Sequence, residues 1–440
     1  MLEARGLAVG PPGGPLVLRD LEFGLAPGEW VALTGANGGG KSLLCLALAG
    51  LLGPRAGHVL ADGVALAPHE PARRAVGMVF QEPEGQLVAP TLAEEIAFPL
   101  ENLGWERGRI RERVRRLVEE FDLAGLASRA PQSLSGGEKS RLGLAAALAG
   151  DPRYLILDEP GVYLDAHARE RLRGLVRREV ERGVGALFVT QLEEEWAAAD
   201  RRLRLERGAL VAAGHAALEP DDGALESFAP GPALLTARSL SFAHASSPPL
   251  FTGVDLEIGA GEIVLLTGAS GAGKTTLLLL LCGILDPQQG VIELAGQTRL
   301  GVLLQSPEDQ LVSTTVAEDV ALGSRSSGSE RERAVHAALV EVGLDPAGHG
   351  SRPPTALSHG ERRRAAWAGL LAQDAGLWLL DEPSTGLDRA GVLVLETTLR
   401  RFAAAGGGAL VVSQDPRLDA WRTRRYALEG GRVSALSSRS

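Results

Sequence analysis

Apolar residues along this chain fall into short unbroken runs separated by amphipathic stretches, the pattern of buried strands alternating with helices. Trp30-Val31-Ala32-Leu33-Thr34 reads as a buried strand, followed by an apolar helix starting at Leu43 and by strands near 57–60 and 75–80. A more helical region covers about 92–149, with amphipathic charge pairs over 109–120. Tyr154-Leu155-Ile156-Leu157 and Ala186-Leu187-Phe188-Val189 read as buried parallel strands, with a helix over about 167–182 between them. Residues 1–33 read as short strands broken by the turn Pro11-Pro12-Gly13-Gly14. This alternation predicts an α/β fold.

The order then starts again. Ile263-Val264-Leu265-Leu266-Thr267 is a second buried strand, with an apolar helix starting at Leu277. Landmarks recur at nearly one offset: Lys41 to Lys274 gives 233, Gln81 to Gln305 gives 224, and Ser135 to Ser358, Glu159 to Glu382 and Gln191 to Gln414 each give 223. Two tandem copies follow, the second about nine residues shorter between its lysine and its glutamine. Pro220-Asp221-Asp222-Gly223 and Pro230-Gly231-Pro232 mark the junction. The expected division is a first domain over 1–215, a linker over 216–233 and a second domain over 234–440.

The strongest chemistry lies just after each first buried strand. Gly35-Ala36-Asn37-Gly38-Gly39-Gly40-Lys41-Ser42 and Gly268-Ala269-Ser270-Gly271-Ala272-Gly273-Lys274-Thr275 both read as phosphate-cradling loops, with Thr276 beyond the second. Glycines let backbone N–H groups converge on phosphate oxygens, the lysine reaches the outer phosphates, and the hydroxyl of Ser42 or Thr275 ligates Mg²⁺. Only Lys41, Lys139 and Lys274 are lysines, against 45 Lys and Arg together. Two of three thus stand where a compact ammonium suits phosphate better than a planar guanidinium.

Each copy also ends a buried strand in adjacent carboxylates, Asp158-Glu159-Pro160 and Asp381-Glu382-Pro383. Neighbours on a strand point to opposite faces. Asp158 and Asp381 are therefore expected to hold Mg²⁺ through water, and Glu159 and Glu382 to polarise the attacking water as general base.

Composition narrows the class. With 440 residues the chain exceeds one core, and no charge-free run of eighteen apolar residues or basic leader is evident. A soluble chain without signal peptide or membrane span is expected. Cys45 and Cys282 both fall in the helices after the phosphate loops and read as buried reduced thiols. A net charge of −10 weighs against nucleic acid as partner, and Arg362-Arg363-Arg364 reads as a solvated helix face.

With Leu134-Ser135-Gly136-Gly137-Glu138 and Leu357-Ser358-His359-Gly360-Glu361, both halves resemble the ATP-binding cassette ATPases almost end to end. The resemblance implies two tandem nucleotide-hydrolase domains, each with a RecA-like mixed-sheet core, an antiparallel β subdomain and a helical signature subdomain. It implies that ATP and Mg²⁺ are bound twice, the signature of one cassette facing the nucleotide of the other in an intramolecular dimer. One site would join residues 35–42, Gln81, Asp158 and Glu159 to Ser358, His359 and Gly360. The other would join residues 268–276, Gln305, Asp381 and Glu382 to Ser135, Gly136 and Gly137. Gln81 and Gln305 would sense Mg²⁺ and water, and Asp165 and Asp388 would contact the opposite cassette.

The departures are equally specific. Gln191 and Gln414 stand where the family usually carries a histidine, so slower hydrolysis is expected. His359 replaces a signature glycine, and the adenine-stacking aromatic aligns with Pro11 and His244. Asymmetric nucleotide sites follow as a hypothesis.

A finer resemblance rests on Gln81-Glu82-Pro83-Glu84-Gly85-Gln86-Leu87 and Gln305-Ser306-Pro307-Glu308-Asp309-Gln310-Leu311. This pattern is similar to the energy-coupling-factor and cobalt-type importer ATPases. It implies a peripheral subunit on the cytoplasmic face of the cell membrane, taking up a vitamin or transition-metal ion. Its partners would be a transmembrane coupling subunit and a substrate-binding membrane subunit. The rival class is a soluble double-cassette ATPase acting on ribosomes or nucleic acid. Its known types carry long charged linkers, cysteine-ligated clusters, zinc modules or coiled coils, none of which this sequence displays.

Overall fold

The computed structural model describes all residues except 12, 68–70, 82, 163, 214–229, 245–247, 358, 422 and 437–440, and leaves out the side chains of 71, 83, 84, 308 and 359. The chain divides into two compact units, 1–220 and 221–440. The expected linker lies outside the described residues as far as 229. Its last residue, Ala233, already opens the strand Ala233–Phe242.

Each unit is built on a six-stranded sheet. In the first the order is Ala209–Ala212, Arg201–Glu206, Trp30–Gly35, Gly185–Val189, Tyr154–Asp158, Val76–Val79, all parallel except the first pairing. The second repeats it from Arg432–Leu436 through Arg424–Glu429, Ile263–Thr267, Gly408–Val412 and Leu377–Asp381 to Leu300–Leu303. The central strands are buried on both faces, which explains their unbroken apolar runs. In the first unit Val31, Leu33, Ile156, Leu187 and Val189 pack on one face with Leu44 and Leu48 of the helix Lys41–Leu48. Trp30, Ala32, Leu155, Leu157 and Phe188 pack on the other with Leu172 and Val176 of the helix Ala166–Glu181.

A small antiparallel sheet and a helical region flank each core. The sheets are Leu18–Leu25, Leu2–Val9, Ala56–Ala61 and Val64–Ala65 in the first unit, and Phe251–Gly259, Ala233–Phe242 and Gln289–Leu294 in the second. The offset of 233 still holds at the starts of Ala56–Ala61 and Gln289–Leu294, and has fallen to 224 at Val76–Val79 and Leu300–Leu303. The nine extra residues of the first copy therefore lie between those strands, where it carries Val64–Ala65 and the 3₁₀ turn Pro71–Ala75. Helices Leu92–Asn102, Arg107–Glu120 and Gly136–Leu148 form the first helical region; Val316–Ala321, Gly328–Glu341 and His359–Leu371 are their counterparts. The α/β class and the three-part build of each copy are as the sequence predicts.

Two expectations are corrected. Arg363 is buried, because its guanidinium turns inward and donates to the carbonyl of Glu382 at 2.7 Å instead of lying on a solvated face. Cys282 is only half-buried; both cysteines are free thiols, and burial pushes the Cys45 thiol well up. Among the described residues no helix is long and apolar enough to cross a membrane.

Candidate nucleotide site

Both phosphate loops run from a central parallel strand into a helix that starts at the lysine itself, two or three residues earlier than the apolar pattern predicts. Gly40 and Gly273 make this geometry possible. Each has φ +99°, and a Cβ there would stand 2.8 Å from Leu18 or 2.7 Å from Leu250. Lys41 and Lys274 are buried and donate to their own loops, Lys41 to the carbonyls of Gly35 and Ala36 at 2.9 and 3.2 Å, Lys274 to those of Gly268 and Ala269 at 2.8 and 2.9 Å. The ammonium is thus held within the loop at the start of a helix, an arrangement suited to an anion.

A hydroxyl and a carboxylate meet beside each lysine. Thr275 Oγ1 donates to Asp381 Oδ2 at 2.6 Å, and Ser42 makes the equivalent bond to Asp158. Burial raises the pKa of both aspartates, partly offset by those hydroxyls and by the lysines. A buried, all-oxygen pair beside a phosphate cradle fits Mg²⁺, which takes few protein ligands and fills its shell with water and phosphate.

The strand-alternation argument for the next residue needs correcting. Glu159 and Glu382 lie one residue beyond their strands with φ +49° and +50°, so a left-handed turn and not the pleat aims each side chain. Glu159 N–H still donates to Val189 and Glu382 N–H to Val412, at 3.1 and 2.8 Å, which fixes the turns to the sheet. Both carboxylates are buried, and burial together with the charge of Asp381 pushes Glu382 up to about 7.

The glutamines are placed differently in the two units. Gln81 Nε2 donates to Glu159 Oε2 at 3.0 Å, whereas Gln305 is exposed. Gln191 accepts from Thr34 Oγ1 at 3.1 Å and donates to the Gly35 carbonyl at 2.8 Å, joining the last core strand to the phosphate loop. Gln414 uses its backbone N–H on Glu382 at 3.2 Å, and its side-chain Oε1 is buried without a partner. Ser413, which the sequence reading passed over, donates to the same carboxylate at 3.1 Å.

The signature serine caps a helix. Ser135 accepts from the N–H of Glu138, whose carboxylate accepts in return from Ser135 N–H, so Gly136 and Gly137 form the first turn of Gly136–Leu148. In the second copy Ser358 lies outside the described residues, as does the side chain of His359, while the helix His359–Leu371 starts at the matching place. Asp165 and Asp388 cap their own following helices. Pro11 and His244 are exposed; His244 stands edge-on to Phe242 with centroids 5.1 Å apart.

The segment after each first glutamine is pinned by its polar residues. Gln86 Oε1 accepts from Phe80 N–H at 3.1 Å and Gln310 Oε1 from Leu304 N–H at 3.0 Å. Glu95, buried, accepts from Val88 and Ala89 N–H, and Asp319, also buried, from Val312 and Ser313 N–H. With their backbones held, Val88 and Val312 turn apolar side chains outward, 65% and 76% exposed.

The ABC transporter family matches residues 18–162 and 251–385, one match per unit. A Methanosarcina mazei protein provisionally named ABC transporter ATP-binding protein is 31% identical over 91% of this chain and 87% of its own. A Bacillus subtilis protein provisionally named HMP/thiamine import ATP-binding protein YkoD is 29% identical, covering 91% of this chain and 84% of that one. A Bifidobacterium longum relative, BL0043, is 30% identical, and the chain spans 60% of its length. Among solved structures, one titled RNase-L Inhibitor aligns with TM-score 0.69 at 24% identity over 98% of this chain and 89% of that one, which shows the shared tandem fold. A family match in each unit, on phosphate loops of this geometry, settles the identity: the chain belongs to the ABC transporter ATP-binding proteins and is an ATPase with two cassettes.

Proposed function

We propose that this ATPase, bound at the cytoplasmic face of the membrane, drives an importer of the energy-coupling-factor or cobalt type that takes up a vitamin or a transition-metal ion. One observation carries the reading. Val88 and Phe98 in the first cassette, and Val312 and Leu322 in the second, are large exposed apolar residues separated by the same offset of 224 as the glutamines that precede them. A repeated apolar surface held open by buried carboxylates suits the helix of a hydrophobic partner. The import name of the B. subtilis relative agrees with it.

In this reading each phosphate loop binds one ATP with Mg²⁺, which neutralises phosphate charge when bound. Ser42 with Asp158, and Thr275 with Asp381, hold the ion. Lys41 and Lys274 turn from their loop carbonyls to the outer phosphates. Glu159 and Glu382 orient a water and take its proton. Gln81 and Gln305 act as sensors beside the partner surface, and Gln191 and Gln414 stand at the end of the last core strand without proton chemistry. Ser135, Gly136 and Gly137, and Ser358, His359 and Gly360, serve the nucleotides as the signature residues.

The test is co-purification of the tagged chain from detergent-solubilised membranes of its own cells, followed by identification of bound proteins. Two membrane subunits are expected, and Val88→Asp with Val312→Asp should cut their recovery about tenfold or more while the isolated chain hydrolyses ATP as before. Recovery with ribosomes or nucleic acid instead of membrane proteins would overturn the importer reading in favour of its rival.

A further inference from the structure

The tandem copies solve one mechanical problem in two ways. In the first cassette, Arg169 Nη1 donates to the Leu164 carbonyl at 2.6 Å, holding the loop that runs from Glu159 to Asp165. Glu195 stands nearby, accepting from the Thr190 hydroxyl; its other oxygen is buried without a hydrogen-bond partner, and Arg169 offsets its charge. Glu195 also fills the space beside Gly161, where a Cβ would lie 2.2 Å from its carboxylate. At the offset of 223 these three residues become Val392, Leu418 and Ser384. Val392 and Leu418 are buried in the apolar core, so this clamp is gone from the second cassette.

Another arginine has taken its place from the opposite side. Arg417, three residues past Gln414, donates through Nη1 to the Leu387 carbonyl at 2.7 Å and through Nη2 to the Ser384 carbonyl at 3.3 Å. Leu387 is the counterpart of Leu164 at the same offset. Nε and Nη2 of Arg417 also engage the Asp415 carboxylate at 2.9 and 2.6 Å. Asp415 N–H in turn donates to Ser413 Oγ at 3.1 Å, and that hydroxyl donates to Glu382. A planar guanidinium can span two carbonyls and a carboxylate at once, which an ammonium cannot.

We propose that Arg417 is the positioning residue of the second catalytic centre, locking the turn 413–415 to the loop 384–387 so that Ser413 and Gln414 hold Glu382 in place. The proposal rests on the reading of Glu382 as the base of that cassette. The pairing Arg417–Leu387 substitutes for Arg169–Leu164, and through Asp415 and Ser413 it also reaches the catalytic glutamate.

The experiment measures steady-state ATP hydrolysis by the full chain carrying Glu159→Gln, so that the second cassette supplies the rate. Arg417→Ala should lower kcat by between about 10- and 100-fold, with KM for ATP within about twofold, because misplacing the base costs turnover and not binding. Arg417→Lys should recover only part of the loss. Unchanged kcat in Arg417→Ala overturns the proposal. So does a loss that tracks a fall in thermal midpoint and is not partly recovered by Arg417→Lys. The control Glu382→Gln in the same background must abolish the remaining hydrolysis; if it does not, the reading of Glu382 falls and the proposal with it.

Discussion

Glu159 takes a hydrogen bond from the side chain of Gln81, and its other oxygen is 3.8 Å from Lys41 Nζ; Glu382 takes its bonds from Ser413 and from the backbone of Gln414. The first glutamate is thus tied to the segment that presents Val88, the second to the end of the last core strand. A single exchange accounts for much of this. Thr190 and Ser413 are counterparts, each with a hydroxyl able to reach a carboxylate, but the Thr190 hydroxyl donates to Glu195, whose place at the offset of 223 is taken by Leu418, which accepts nothing. The Ser413 hydroxyl, which accepts from Asp415 N–H, donates instead to the catalytic glutamate. Two nearly identical motifs therefore sit in different networks because of a residue four or five places downstream of them.

The largest effect that tests this difference is removal of each base in turn. Glu159→Gln and Glu382→Gln should each cost on the order of 10²- to 10⁴-fold at the affected site, the range expected for general-base catalysis. Because the supporting partners differ, steady-state ATPase rates of the two single variants should differ as well. Equal losses would break the comparison and make the two networks interchangeable.

The phosphate loops, the carboxylate pairs, the tandem repeat and the α/β core were legible because each depends on local pattern: glycine spacing, an apolar run ending in charge, one constant offset. The position of the nine-residue contraction could also be bracketed from that offset. What the sequence hid was set by tertiary contact. Nothing in Asp158-Glu159 announces a left-handed glutamate, since αL is disfavoured for that residue and is imposed by the turn off the strand. Arg363 looked solvated within a run of three arginines, yet it is the one whose helix face meets the catalytic loop. The exchange of Arg169 and Glu195 for Val392 and Leu418 was visible at the offset, but only the contacts of Arg417 give it a meaning.

A second, smaller test reads the burial of Glu382 directly, in protein free of nucleotide and Mg²⁺. Its carboxyl moves from an ordinary 4.5 to about 7 on folding, so the folded state binds the proton more tightly than the unfolded one. That contribution to stability is complete below pH 4.5 and is lost as pH rises through about 7. Glu382→Gln removes the ionisation, and at pH 8 should stabilise the second cassette by on the order of 3 kcal/mol relative to the parent, with the gap closing toward pH 4.5. Thermal melts of the two proteins across this range measure it. A gap that does not change with pH would mean that Glu382 is better solvated than its surroundings indicate.

The smallest expected effect concerns the two glutamines that stand where the family usually has histidine. Gln191 has both ends of its amide engaged, one with Thr34 and one with the Gly35 carbonyl, so a histidine there must break a bond between the core strand and the phosphate loop. Gln414 has its amide oxygen buried without a partner, so a ring nitrogen at that place gives up less. Gln414→His should therefore raise hydrolysis by the second cassette a few-fold, about 1 kcal/mol in the barrier, when Glu159→Gln silences the first. Gln191→His, in the Glu382→Gln background, should leave the rate unchanged or lower it. The sign matters more than the size: a gain at 191 with none at 414 would show that the side-chain network, and not the missing proton carrier, limits the second centre.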